Sequence, residues 1–243
     1  LREQVKAAAV IPGFFHPGDR WLYGASTDYV GVLVEEISGQ TLDEFLRDRI
    51  FQPLGMTDTH YYVPRGKTDR VAAVYRPTDD GTIELRKAPM FVEPTKYFSG
   101  VAGLRSTASD YYRFAQMIAN GGELDGVRIL GRMTVNNMIT NQIGTLPVDV
   151  RGEGYGFGLG FGILTNPAKA VDALSAGSYT WGGAYGTLYW ADPVEDLIGI
   201  LLIQIRPYTH FNIRPMFSNV VTQAVIDSLG DQRPKILGHP TPH

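Results

Sequence analysis

Two short stretches carry groups that could do chemistry and are hard to read as ordinary core. In "RWLYGASTDY", residues 20–29, a Trp-x-Tyr follows a Pro17-Gly18-Asp19 turn and precedes the start of a helix, with no histidine within the stretch to move a proton. In "YTWGGAYG", residues 179–186, Trp181-Gly182-Gly183 stands at a strand edge with little side-chain bulk after it, so backbone N–H groups are open to a ligand oxygen. Each stretch has a plainer alternative. Tyr23 reads equally as a half-buried packing aromatic, and glycines in a strand usually mark a bulge or a bend.

Other chemistries are absent from the sequence. The histidines, His16, His60, His210, His239 and His243, form no H-E-x-x-H and no paired-ligand spacing, so neither a metal nor a cofactor is expected. There is no Gly-x-Ser-x-Gly elbow. No serine has a lysine three residues on, and "KTD" at Lys67 to Asp69 lacks the glycine that close backbone approach requires. With no cysteine, disulfides, thiolate metal sites and a cysteine nucleophile are excluded, while the compartment, cytoplasmic or periplasmic and secreted, stays open.

The 243 residues are 44% hydrophobic and 19% charged, the profile of a chain that folds around a sizeable core. A net charge of -3 offers no basic footprint for nucleic acid and no polybasic arm for a membrane, so the expected partner is a small, neutral molecule. No apolar run approaches the length of a membrane span.

The elements that position the two stretches follow from periodicity. Val30, Leu33, Val34 and Ile37 recur at helical spacing, with Ser26 or Thr27 as N-cap and Gly39 as the stop. Thr41-x-x-Glu44 is a capping box ahead of Leu42, Phe45, Leu46 and Ile50, which predicts a second helix ending before Pro53. Short extended pieces follow, including "VAAVYRP", with a turn at Asp79-Asp80-Gly81. A third helix starts near Thr107-x-x-Asp110, buries Phe114, Met117 and Ile118, and stops at Gly121-Gly122; a fourth is predicted over about 131–142. In "GEGYGFGLGFGIL" every even position from 152 to 162 is glycine, which on a strand leaves one face as bare backbone for something to pack against closely. A phosphate loop is not supported, because no Gly-Lys-Ser/Thr and no following helix accompany it. Residues 186–204 read as a hairpin around Asp192-Pro193 with "LIGILLIQ" as a central strand. A last amphipathic helix runs through Val220, Val221, Ala224 and Val225, with Pro215 near its start and Gly230 past its end. The pattern predicts an α+β fold. Residues 1–145 form a mainly helical region carrying the Tyr23 loop, and residues 146–243 supply antiparallel strands and a terminal helix.

Three ordered blocks carry a resemblance: "PGDRWLYGASTDYVGVLVEEISGQTLDEFLRDRIFQPLGMTDT", "SGVAGLRSTASDYYRFAQMIANGGELDGVRIL" and "TWGGAYGTLYWADP". They are similar to the serine β-lactamase-like superfamily, specifically its class C-related family VIII carboxylesterases. The resemblance implies an antiparallel sheet flanked by helices plus a mainly helical region, and hydrolysis of short-chain or aryl esters through an acyl-enzyme. It implies that Tyr23 is the catalytic tyrosine, which a lysine ammonium would bias toward phenolate so that it takes a serine proton and returns it to the leaving alcohol. It also implies that Trp181, Gly182 and Gly183 form the third motif, with the Ala184 N–H in the oxyanion hole. Two positions depart from the β-lactamase pattern. Ala25 replaces the amide-binding Asn of Tyr-x-Asn, and Trp181 replaces the cation of Lys-Thr-Gly, so a β-lactam carboxylate loses its anchor while a neutral ester loses little. The family's Ser-x-x-Lys and first strands lie upstream of Leu1. An N-terminal portion of the same enzyme is therefore the expected partner, and the isolated chain is expected to be inactive. The alternatives are a β-lactamase or DD-peptidase, and a non-catalytic ligand-binding member of the fold.

Overall fold

The computed structural model describes residues 1–86, 97–209 and 211–227. The chain divides into two compact units, residues 1–74 with 85–114, and residues 75–84 with 115–243.

The first unit begins with α1 (Arg2–Ala8), α2 (Ser26–Ser38) and α3 (Leu42–Leu46), the last running on as a π-helical turn, Arg47–Phe51. Both halves of the capping box form at α3, with the Glu44 N–H donating to Thr41 Oγ1 and the Thr41 N–H donating to Glu44 Oε2. Helix α2 stops where expected, at Gly39 in the left-handed region. Its start differs: Ala25 is the N-cap and no side chain caps it, because Ser26 and Thr27 already lie inside the helix. The facing is also different from a simple core stripe. Val30, Leu33 and Ile37 are 56%, 58% and 85% exposed, while Gly31 and Glu35 are buried. Glu35 turns inward to accept the Leu42 N–H at 3.1 Å, which ties α2 to the head of α3. The core of this unit is Leu42, Tyr61 and Phe98, with Val34 and Leu46 packed against them.

A two-stranded ribbon, β1 (Val74–Pro77) and β2 (Ile83–Arg86), closes around the expected Asp80 turn. Helix α4 (Ala108–Ala119) buries Met117 and Ile118 and leaves Phe114 half-buried. It ends as predicted, with the Gly121 and Gly122 N–H groups donating to Ile118 O and Met117 O. A short hairpin follows, β3 (Glu123–Leu124) and β4 (Val127–Arg128), and then α5 (Arg132–Met138).

The second unit is built on a five-stranded antiparallel sheet: β5 (Tyr155–Phe157), β6 (Gly162–Leu164), β7 (Tyr179–Gly182), β8 (Leu188–Asp192) and β9 (Leu197–Leu201), in sequence order. Strand β8 is buried along its whole length. Trp190, fully buried, pairs across the ladder with Gly199, where a Cβ would come within 2.3 Å of the indole. On the same face Tyr155, Leu164, Leu174 and Leu188 close the core, covered by Phe217 and Val221 of α6 (Ile213–Thr222). The expected hairpin at Asp192-Pro193 is β8–β9, but β9 ends the strand order and is only half-buried, so among the described residues β8 is the buried centre. Helix α6 ends at Thr222, and Gly230 lies outside the described residues.

The glycine run is a hairpin, β5–β6, and not one strand, because Gly158 N–H returns to Phe161 O and reverses the chain. Close packing on the glycines does occur. A Cβ on Gly158 would lie 2.1 Å from Met138 O, and one on Gly156 would lie 2.4 Å from the Asn141 side chain. The same contact explains why α5 is shorter than predicted. Met138 O accepts the Leu159 N–H, Phe157 O accepts the Gln142 N–H, and Asn141 Oδ1 accepts the Phe157 N–H, so residues 138–142 leave the helix to line the hairpin.

Gly158→Ala should therefore destabilise the protein by about 1–3 kcal/mol, the range for overpacking a filled site. Gly66→Ala, whose Cβ would meet nothing within 4 Å, should stay within about 0.5 kcal/mol of the parent. Urea unfolding of the two variants checks the contrast; equal stabilities would mean that residues 138–141 do not pack there.

Candidate active site

The Tyr23 loop lies in the first unit. Trp21 and Tyr23 stack with ring centroids 6.3 Å apart, and Tyr23 is 51% exposed, so its phenol reaches solvent and is not a core aromatic. What orders the exit of this loop is Asp28, on the first turn of α2. Its Oδ1 accepts from Ser99 Oγ at 2.7 Å, from the Gly100 N–H at 2.7 Å and from the Val101 N–H at 3.3 Å, while Tyr97 donates to Oδ2 at 3.4 Å. The 97–102 loop fits so tightly that a Cβ on Gly100 would sit 2.2 Å from Thr27 O. A carboxylate at a helix start, with its oxygens committed to another segment, fixes the helix end that Tyr23 leads into.

Two other acid–base groups in this unit, His60 and Lys67, are placed differently from Tyr23, in less open surroundings. His60 pairs through its backbone with Arg105, and burial holds its imidazole below the ordinary value. Lys67 donates to Asp58 Oδ1 at 2.6 Å and Thr57 O at 2.7 Å, and Arg70 grips the same carboxylate with both Nη atoms, so the "KTD" lysine belongs to a clamp.

Trp181, Gly182, Gly183 and Ala184 come together in the second unit, at the end of β7. Trp181 packs edge-on against Phe157, with ring centroids 5.1 Å apart and planes at 76°. Gly182 closes the ladder opposite Leu188, and the Gly183 N–H donates to Thr187 O at 3.0 Å. Ala184 is exposed, and among the described residues no acceptor takes its N–H. That leaves the Ala184 N–H, followed by the Tyr185 N–H, as backbone donors without an acceptor among the described residues at the end of the strand. Below the turn lies Arg214 of α6, whose Nη2 donates to Gly183 O at 2.5 Å and to Thr187 O at 2.8 Å. A Cβ at position 182 would lie 2.7 Å from that Nη2, so only glycine fits over the guanidinium.

Sequence reading did not single out Asp28 or Arg214. The Asp28 signal was present in "STDY", an acid in a first helical turn, but its partners are about seventy residues away in sequence. Arg214 carries no motif. A cavity of about 310 Å³ lined by Ser175, Asp192, Leu197 and Thr222 opens at the other end of β8, away from Trp181. Among the described residues no cluster of three or more His, Asp or Glu side chains could hold a metal, and no helix is long and apolar enough to cross a membrane.

Helices together with an antiparallel sheet make the architecture α+β, and the structures it resembles have a β-lactamase/transpeptidase-like fold. Residues 3–217 match the family model described as Beta-lactamase, and the chain belongs to that family. It is 36% identical over 214 residues to an uncharacterised protein of Mycobacterium tuberculosis, covering 83% of this chain and 53% of that one. It is 30% identical to the esterase EstB of Burkholderia gladioli, covering 83% and 54% respectively. Among solved structures, EstCE1, described as a hydrolase with promiscuous acyltransferase activity, superposes with a TM-score of 0.77 at 22% identity, covering 89% of this chain and 59% of that one. The chain thus spans about half the length of the curated relatives it matches.

Asp28→Ala should cost about 1–3 kcal/mol of stability, the range for removing a charged acceptor from committed donors. Hydrogen exchange at Gly100 and Val101 should accelerate, whereas Asp28→Asn should retain part of the protection. Unchanged exchange at those amides would remove Asp28 from this role.

Proposed function

We propose that this chain is the part of a serine carboxylesterase that carries the proton-transferring tyrosine and the backbone oxyanion donor, and that its substrates are short-chain or aryl esters. The observation that carries the reading is the Ala184 N–H without an acceptor, beside Trp181 where the β-lactamase pattern has a cation. Membership of the Beta-lactamase family and the names of the relatives, esterase EstB and the lovastatin esterase of Penicillium rubens, support ester hydrolysis.

In this reading the serine and lysine of Ser-x-x-Lys come from a portion upstream of Leu1. Tyr23 takes the serine proton as the serine oxygen bonds to the ester carbonyl, and the Ala184 N–H receives the oxyanion. The tetrahedral intermediate then expels the alcohol, which leaves with the proton from Tyr23, and an acyl-enzyme remains. Water attacks the acyl carbonyl in the second half, giving its proton to Tyr23, and as the acyl–serine bond breaks Tyr23 returns that proton to the serine oxygen and the carboxylic acid leaves. The exposed apolar stripe of α2 at Val30, Leu33 and Ile37, and the outer edge of β9, with no strand against it among the described residues, support an upstream portion as the missing cover.

Tests follow on turnover of p-nitrophenyl esters. The 243-residue chain alone should show none, and adding its upstream portion should restore it; serine-inhibitor-sensitive hydrolysis by the chain alone would place the nucleophile inside it. In the complete enzyme Tyr23→Phe should lower kcat by roughly two to four powers of ten with little change in melting temperature, because only the hydroxyl is lost. Near-normal turnover would return Tyr23 to a packing role.

Trp181 decides between substrates. The parent enzyme should prefer p-nitrophenyl butyrate to nitrocefin in kcat/KM, since a β-lactam carboxylate would be desolvated without a partner. Trp181→Lys should raise nitrocefin turnover and lower ester turnover, with Ala25 limiting the gain. A parent enzyme that already prefers nitrocefin would replace the esterase reading with a β-lactamase.

A further inference from the structure

Arg214 is a half-buried guanidinium whose bonds run to uncharged groups. Nη2 donates to Gly183 O and Thr187 O, Nη1 donates to the Tyr208 hydroxyl, and Cζ lies 4.0 Å from the centroid of the Tyr208 ring. Among the described residues no carboxylate pairs with it, and its Nε is buried without a partner. Burial, with Arg151 acting in the same direction, pushes it below its ordinary value, yet an arginine so shifted still carries its charge at neutral pH. Partial withdrawal of this cation from water is compensated by hydrogen bonds and not by a counter-ion.

The use lies in one peptide unit. Gly183 O and Ala184 N–H belong to the same planar amide, and in a trans peptide the two dipole ends point in opposite directions. Gly183 O is held from below twice, by Arg214 Nη2 at 2.5 Å and by the Gly186 N–H at 3.1 Å. Anchoring the carbonyl on one side therefore aims the amide hydrogen to the other. A charge-assisted bond to the carbonyl also draws electrons toward oxygen and leaves the N–H a stronger donor, since hydrogen bonds in series polarise one another. We propose that Arg214 is a positioning residue for ester hydrolysis, which aims and polarises the Gly183–Ala184 peptide so that the Ala184 N–H meets the oxyanion as a pre-oriented, strengthened donor. This rests on the esterase reading of the turn. It also gives the turn a positive charge from beneath, at a site whose surface position is filled by Trp181.

The chemistry asked of Arg214 appears only when charge builds on the substrate oxygen, so its loss should act on kcat more than on KM. In the complete enzyme Arg214→Met should lower kcat for p-nitrophenyl butyrate about tenfold, part of the hundredfold or more that a whole oxyanion donor contributes, with KM within about twofold. Arg214→Lys should recover part of the loss. Affinity for an aryl trifluoromethyl ketone, whose serine adduct carries an oxyanion, should weaken in step with kcat/KM, while affinity for the product acid should not. In the ¹³C,¹⁵N-labelled 243-residue chain, the Gly183 carbonyl carbon and the Ala184 amide proton should both move upfield in the two variants, with the amides of β8 in place. A simple folding defect would shift β8 as well and lower ketone and product affinity alike, and that result overturns the proposal. Ala184→Pro separates the two levels of inference, since it removes the N–H itself. If Ala184→Pro abolishes turnover while Arg214→Met retains parental kcat and ketone affinity, the role of Arg214 is wrong and the oxyanion reading stands. If Ala184→Pro keeps full turnover, the oxyanion reading is wrong and the role of Arg214 falls with it.

Discussion

The register of β8 between β7 and β9 is the constraint on which the second unit depends. Trp190 has no exposure and lies across Gly199, and no other residue at 199 leaves room for the indole. A slip of one residue would turn every β8 side chain to the opposite face and put the indole against a side chain that cannot yield. With Trp190 in place, Tyr189 stands opposite Trp181 and Leu188 opposite Gly182, so the chain leaves β7 at one defined point. The turn that presents Ala184 is thus positioned by a buried side chain on the other face of the sheet. The Ala184 N–H is part of the backbone at the end of that paired strand.

The electrostatics of that turn differ from those of a site built to hold an anion. Trp181 offers no charge to a carboxylate, while Arg214 is spent on two carbonyls and a phenol, and Arg206 lies over the Tyr185 ring of the same turn. In the proposed role, a cation below the peptide would act through the amide dipole and favour negative charge where the N–H points, without a salt bridge to a substrate in its ground state. The first unit achieves order by a different route. Asp28 gathers donors from residues 97–101 onto the first turn of α2, which holds the end of the Tyr23 loop while the phenol stays open to solvent.

Much of the secondary structure was legible in local sequence because its causes are local. The Thr41–Glu44 capping box, the Gly39 and Gly121-Gly122 stops and the Asp192-Pro193 hairpin all rest on residues within a few positions of one another. Where the reading strayed, a distant partner had intervened. Residues 139–142 have helical periodicity, but their backbone and the Asn141 amide serve the β5–β6 hairpin instead. The glycine run looked like one strand because alternation by itself does not show where a chain reverses.

The sequence by itself determined the α+β class, the family, the tyrosine on its turn, the Trp-Gly-Gly-Ala block and the absence of Ser-x-x-Lys, because residue types and their spacing are properties of the chain. Only the tertiary structure decided that the Val30, Leu33 and Ile37 stripe faces solvent, that Asp28 is committed to residues 97–101, and that Arg214 lies under Gly183. The physical reason is separation along the chain. Asp28 and its donors are 69 to 73 residues apart and Arg214 is 31 residues from Gly183, so no local propensity encodes either contact, and each exists only once the core has brought its segments within hydrogen-bonding distance.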